Sequence, residues 1–272
     1  MIKNKAMVDG IDCVDDMIRK CNIVLELLEK KGKSPNNEKF FQRRFSVQQA
    51  CEMVKRTRTS LYRAEEESVI TVDKAPATNR NLGYTIEQIY KLQEYFGTKP
   101  ARREGDPCLK VAVQSFKGGV AKSVTAVHLA QFLALKGYRV LVADFDPQAS
   151  ATNSFGFVAD TVFTESNTLL PYIKGDKEDI RYCIMDTYFP GIKLIPSCLP
   201  FYDAEFHLAF SAARSESDED RIACFTEFVD AFKTVEKDFD MIIFDSPPAL
   251  GMITINILAA ADGLIVPTTP AF

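Results

Sequence analysis

No apolar run in this sequence reaches the roughly eighteen residues that a membrane span needs, and the N-terminus carries charged and polar groups where a signal peptide needs an apolar core. A soluble chain that is not secreted is therefore expected. Histidine is scarce, with only His128 and His207. The seven cysteines (Cys13, Cys21, Cys51, Cys108, Cys183, Cys198, Cys224) are odd in number and contain no C-x-x-C pair. This excludes a disulfide framework and gives no zinc-ligand spacing, so reduced thiols are expected. What is abundant is apolar residues, 46% of 272, enough to exclude global disorder and to build one or two domains.

The formal charge of −4 hides an asymmetry. Up to Gly105, just after the polar start of the stretch 97–107, there are 20 basic and 15 acidic residues; the remainder holds 13 and 22. A modest basic module joined to an acidic one is expected. The pattern divides into an N-terminal helix (1–38), a basic module (39–105) and an α/β domain (106–272).

In the first segment Ile11, Val14, Ile18, Cys21, Leu25 and Leu28 recur at alternating spacings of three and four, with charges between them. One helix with a narrow apolar seam fits, either lying on its own domain or pairing with a second copy. From Lys39 to Arg63 seven basic residues meet one acid, Glu52. Ser46 can cap a helix whose apolar side is Val47, Ala50, Cys51 and Val54. A turn at 55–57 follows, then a short helix through Leu61 and Ala64. That second helix would turn Arg58, Thr59, Ser60, Tyr62 and Arg63 outward, with Arg56 on the turn, as groups able to reach phosphates and base edges. The turn-rich stretch 74–83 and a helix 85–96 complete a hairpin wing and its support. The order of parts, with the wording SLYRAEEE…GYTIEQIYKLQEYFG, resembles a MerR-type winged helix-turn-helix, although Lys55 stands near the expected turn glycine. A helical bundle with a solvated basic face is the alternative.

Beyond Gly105, short apolar runs at 109–113, 140–143, 192–195, 241–244 and 264–266 alternate with helical segments such as 123–136 and 221–235. Strands apolar on both faces must be covered on both faces, which predicts a parallel sheet between helical layers. Strand 109–113 runs into Lys117-Gly118-Gly119-Val120-Ala121-Lys122-Ser123-Val124 and then a helix. Glycines let backbone N–H groups face an anion, the helix start adds its dipole, Lys122 reaches terminal phosphates and the Ser123 hydroxyl suits Mg²⁺. Asp144 and Asp146 follow strand 140–143 in D-F-D-P-Q, and Asp245 ends the run Met241-Ile242-Ile243-Phe244, placed to hold metal through a water.

The ordinary cradle pattern fails, since Phe116 and Ala121 occupy its two glycine positions; K-G-G-x-x-K-S stands instead. This resembles the deviant Walker A loop of the ParA/MinD ATPases. With KGGVAKSVTAVHLAQFLALKGYRVLVADFDPQ, TLLPYIKGDKEDI…PGIKLIPSCLPFYDAE and DSPPALGMITIN, the chain from about Phe45 onward resembles the long ParA proteins of plasmid partition, the F-plasmid type in particular. The resemblance implies ATP or ADP with Mg²⁺ as cofactors. It makes Lys117 the lysine that reaches a partner copy's nucleotide, Asp146 the acid that orients the attacking water, and Asp144 a support of the metal region beside Ser123 and Asp245. It implies a homodimer formed on ATP, binding to nonspecific nucleoid DNA, stimulation by a ParB-type centromere-binding partner, and operator repression in the ADP form. A cytoplasmic location without membrane binding goes with it. Because the family continues for on the order of a hundred further residues that bring basic groups for DNA, the chain reads as a fragment with part of its sheet edge bare and weak stability. Two other readings remain: a repressor that senses nucleotide without turnover, and a metabolic, iron–sulfur or septum-placing relative on the same fold. His128 and His207 are expected to pack, the latter among Phe201, Tyr202, Phe206 and Phe210, and Ser211–Asp220 to form a solvated loop.

Overall fold

The computed structural model describes residues 14, 16–24, 26–27, 41–78, 80–100, 102 and 105–269. Within the expected N-terminal seam the described positions are helical, and Val14, Ile18 and Cys21 are exposed. Ile11, Leu25 and Leu28 lie outside the described residues.

The basic module is built on three capped helices. Ser46 accepts from the Gln49 amide, and the Gln49 side chain returns the bond to the Ser46 N–H, starting α1 (Val47–Val54). Lys55 ends α1 in the left-handed conformation, φ 57°, which is the geometry a turn glycine would supply. Thr57 then caps α2 (Arg58–Glu66), and Thr85 with Gln88 forms the same reciprocal cap on α3 (Ile86–Tyr95). Ala50, Val54, Leu61, Ala64, Ile86, Ile89 and Leu92 bury their side chains around Phe45 and Tyr84. A narrow hairpin separates α2 from α3. It is closed by a Lys74–Asn81 bridge and by Leu82 N–H donating to Asp73 O at 2.8 Å, while Phe45 and Tyr84 pair at its base.

The α/β domain contains β1 (Leu109–Val113), α4 (Lys122–Lys136), β2 (Val140–Asp144), α5 (Ser150–Ser154), β3 (Met185–Asp186), β4 (Ile192–Ile195), α6 (Tyr202–Arg214), α7 (Asp218–Lys233), β5 (Met241–Asp245), α8 (Met252–Ala260) and β6 (Gly263–Ile265). The sheet order is β3-β4-β2-β5-β1-β6, parallel throughout except for β3. Successive residues of each strand enter opposite cores. Leu141, Ala143, Ile242 and Phe244 join one core with Leu208, Phe228 and Phe232 from α6 and α7, while Val140, Val142 and Ile243 join the other with Ala126, Ala130 and Ala134 from α4. The predicted two-faced parallel sheet is therefore present. β3 was not predicted, because two residues carry no period.

Three local expectations are corrected. Ser211–Asp220 is mostly helix: α6 runs to Arg214, and Ser217 caps α7 through the Asp220 amide. The acidic run Asp218-Glu219-Asp220 occupies the first turn of α7, where the helix dipole favours negative charge. Of the expected aromatic cluster only Phe201 is buried; Phe206 is 72% and Phe210 61% exposed, with His207 half-buried between them. His128 is exposed on α4 rather than packed. Among the described cysteines, burial pushes the thiols of Cys108 and Cys198 up to about 11 and that of Cys183 up to about 12, in keeping with inert thiols.

Candidate functional site

The parallel register sets three strand ends side by side: Val113 of β1 pairs with Asp245 of β5, and Asp245 pairs with Asp144 of β2. The loop leaving β1 climbs over that edge. Gly119 takes φ 75°, and neither Gly118 nor Gly119 would have a neighbour within 4 Å of an added Cβ, so their backbone faces open space. Val120 tucks inward. Ala121 adopts φ 64° immediately before α4, without a side-chain cap, so the first N–H groups of α4 are left to an outside acceptor. Lys122 opens α4 and is only 7% exposed; Ser123 is half-buried, and Val124 faces solvent. Lys117 stands on the exposed limb of the loop, its Nζ 3.2 Å from Thr269 Oγ1.

The two acids at the strand ends differ. Asp144 is spoken for: its Oδ2 accepts from both the N–H and the hydroxyl of Thr152, each at 2.8 Å, and its Oδ1 from the Asp146 N–H at 3.1 Å. Asp144 thus fixes the turn that presents Asp146. Asp146 in turn accepts the Gln148 N–H at 2.9 Å and is 9% exposed. Asp245 is fully buried, and neither of its carboxylate oxygens makes a well-formed hydrogen bond, the Ser123 hydroxyl nearby giving only a partial one; Ser246 Oγ, the next residue after β5, and Gln114 Nε2, the next after β1, are also unpartnered. Buried polar groups are almost always satisfied, so this cluster of orphans marks a place that fits a ligand. Among the described residues no group of three or more His, Cys, Asp or Glu could cage a metal. A cation here would complete its shell with phosphate oxygens and water, as Mg²⁺ does. The residues present therefore fit a Mg²⁺-nucleotide, with Ser123 and Asp245 as the protein's share. Thr152, the partner of Asp144, carried no sequence signal, since the contact spans eight residues outside any motif.

Burial chiefly raises both pKa values: Asp144 to about 7, against the hydrogen bonds from Thr152 and the Asp146 N–H and with a smaller repulsion from the Asp146 charge, and Asp245 well above the carboxylate range, with repulsion from Asp144 and Asp146 and the opposing pull of Ser123 and Lys122. The native chain thus holds protons that the unfolded chain releases, so the stability they contribute is full below about pH 4 and is lost as the pH rises, for Asp144 through about 7. Without metal and nucleotide, the urea midpoint is expected to fall between about pH 5 and about pH 8. Asp245→Asn should flatten that slope. A wild-type midpoint that stays level across this range would contradict the assignment.

The structure exposes most of the expected DNA-contact residues but not as equivalent groups. Arg58 opens α2 with its guanidinium 6.0 Å from the Tyr62 ring, and Thr59 is exposed beside it. Ser60 turns back into the cap of α2, its Oγ 3.0 Å from Thr57 Oγ1. Arg63 is paired with Glu67 at 2.8 Å, and Arg56 bonds Phe96 O at 3.2 Å. Arg44, outside the expected set, joins the hairpin by bonding Asp73 and Gly83 O.

Residues 109–272 match the AAA domain family. Protein SopA of Escherichia coli K12 is 42% identical over 192 residues, 70% of this chain and 48% of that protein. The sporulation initiation inhibitor protein Soj of Bacillus subtilis is 33% identical over 158 residues, 58% of this chain and 56% of its own. The chain spans about half the length of the curated relatives it matches. Among solved structures, cobyrinic acid a,c-diamide synthase from Mycobacterium smegmatis with bound ADP and magnesium is similar at 32% identity and a TM-score of 0.51, covering 59% of each chain. The family match takes in every strand of the sheet and the whole phosphate cradle; with the likeness to SopA and Soj beside it, the chain belongs to the ParA branch of the AAA-domain family.

Proposed function

We propose that the chain is the winged and nucleotide-binding part of a plasmid partition ATPase that binds ATP and ADP with Mg²⁺. The observation that carries this is the buried Asp245, without a well-formed hydrogen bond, within the electrostatic reach of Lys122 at the start of α4, with Asp146 held on the D-x-D-P-Q segment by the Asp144 side chain. The bound ADP and magnesium of the mycobacterial structure support the same ligands here. Backbone N–H groups of 118–124 hold the phosphates, and Lys122 neutralises their charge. Ser123 and Asp245 hold the metal, which supplies charge neutralisation on the transferring phosphoryl group. Asp146, its carboxylate fixed by Gln148 N–H and its backbone by Asp144, orients the attacking water. Lys117 sits on the open side of the loop, where it can reach a second copy's nucleotide in a dimer.

In this scheme the module at 39–105 reads the chain's own operator through α2 and the wing in the ADP form, while the ATP dimer binds nucleoid DNA and a ParB-type partner accelerates hydrolysis in the cytoplasm. The exposed Arg58 and Thr59, and the hairpin beside them, support the first mode. Fluorescence anisotropy with the chain's own upstream DNA and with random DNA tests the scheme, run in ADP, in ATP and without nucleotide over a salt series, since phosphate contacts govern both modes. ADP should favour the upstream sequence and ATP the random one. Equal affinities in all three nucleotide states would overturn the coupling and leave a simple DNA-binding protein.

A further inference from the structure

The cradle helix α4 begins with Lys122 at the phosphates and runs 15 residues, roughly 22 Å, to Lys136 and Gly137. The last carbonyls of a helix have no partner within it. Here side chains of the basic module take them. Tyr90 of α3 donates its hydroxyl to Ala134 O at 2.6 Å and lies 3.2 Å from Pro190 O, just before β4. Gln93, three residues on, donates Nε2 both to Lys136 O at 3.3 Å and to Met53 O at 3.0 Å, in the last turn of α1. One amide therefore ties the end of the cradle helix to the end of the helix that leads directly into the turn 55–57 and the reading helix α2.

The surroundings are shaped to this contact. Gly137 takes φ 102°, and a Cβ there would meet Gln93 Oε1 at 2.6 Å; a Cβ on Gly191 would meet the Tyr90 hydroxyl oxygen at 2.9 Å. Gln93 is 1% exposed, so a lost bond leaves a buried carbonyl unpaired. Phe41 and Phe189 extend the seam with ring centroids 4.5 Å apart. Beside the amide lies a cavity of about 390 Å³ bordered by Met53, Gln93, Thr98, Phe132 and Tyr138. The seam is thus incompletely filled by apolar packing, and its register depends on the polar contacts.

We propose that Tyr90 and Gln93 are positioning residues that clamp the reading module to α4, so that the state of the phosphate cradle sets the attitude of α1 and α2 and hence DNA affinity. This rests on the nucleotide-dependent DNA reading given above and names the residues that transmit it. A continuous helix moves as a rod, so a shift at Lys122 arrives at Gly137, and the shared amide carries it to Met53.

The test compares operator anisotropy in ADP and in ATP for the wild-type chain, Gln93→Met and Tyr90→Phe. Affinity for a fluorescent ATP analogue and a circular-dichroism melt are measured on each. A wild-type ratio between nucleotide states on the order of 10 should fall to about 1 in Gln93→Met and drop several-fold in Tyr90→Phe. Analogue affinity should stay within about twofold, because neither residue touches the cradle. Tyr90→Phe removes one oxygen only and keeps the test available should Gln93→Met fail to fold. A folded variant of either kind that keeps the wild-type ratio, or that loses it together with nucleotide binding, overturns the clamp. A wild-type chain indifferent to nucleotide overturns the reading on which the clamp rests.

Discussion

Lys122→Ala is expected to weaken ATP binding by a factor on the order of 10² to 10³, about 3 to 4 kcal/mol, measured by calorimetric titration. The size follows from placement. Lys122 is 7% exposed at the first position of α4, so its charge acts on the phosphates with little screening, and the neighbouring left-handed Ala121 aims the same helix end at them. Lys122→Arg should not rescue the loss, since the forked guanidinium cannot occupy the space of a point charge beside Val120 and Ala121. Lys117→Ala should instead leave the affinity of the single chain within about threefold, because Lys117 is exposed and engages Thr269 rather than the interior. Retention of tight binding by Lys122→Ala would remove the lysine from the site.

Asp146→Ala is expected to lower single-turnover ATP hydrolysis on the order of 10² to 10⁴-fold, with nucleotide affinity little changed. Asp146 is held by its own chain, through Gln148 N–H on its side chain and Asp144 on its backbone, so its carboxylate is fixed before any water arrives. Asp144→Asn should cost turnover less directly, through the loss of acceptor geometry toward Thr152 and the Asp146 N–H. If Asp146→Ala hydrolyses at the wild-type rate while DNA binding still answers to nucleotide, the chain is a sensor and repressor rather than an ATPase.

How far the sequence reaches can be judged at single residues. The strands read at 109–113, 140–143, 192–195 and 241–244 were legible because each is a mainly apolar run bounded by polar residues, and such a run has no stable place other than a sheet covered twice; the structure adds only the closing Asp144 and Asp245. The cradle was legible because its chemistry is local: glycines, two lysines and a serine within seven residues. Misreadings arose where a residue's type and its position conflict. Ser217, Asp218 and Glu219 look like a loop by composition but sit at a helix start, where the cap and dipole reward those same groups. Tyr202, Phe206 and Phe210 look like core by type, yet their spacing of four sets them on one solvent-facing stripe of α6. Contacts between distant segments were not legible at all. Thr152 on Asp144, Glu205 capping α8 through the Met252 and Ile253 N–H groups, and Gln93 on Lys136 each depend on the fold bringing together residues that no periodicity links.

The strand-end cluster of Lys122, Ser123 and Asp245 is proposed as a Mg²⁺-nucleotide site. Its most direct test is a calorimetric titration of the chain with ATP, with and without Mg²⁺, repeated on Asp245→Asn. Mg²⁺ is expected to strengthen ATP binding to the wild-type chain by at least about tenfold, and this gain should disappear in Asp245→Asn while metal-free binding persists. Wild-type binding that is indifferent to Mg²⁺, or an undiminished metal effect in Asp245→Asn, would contradict it.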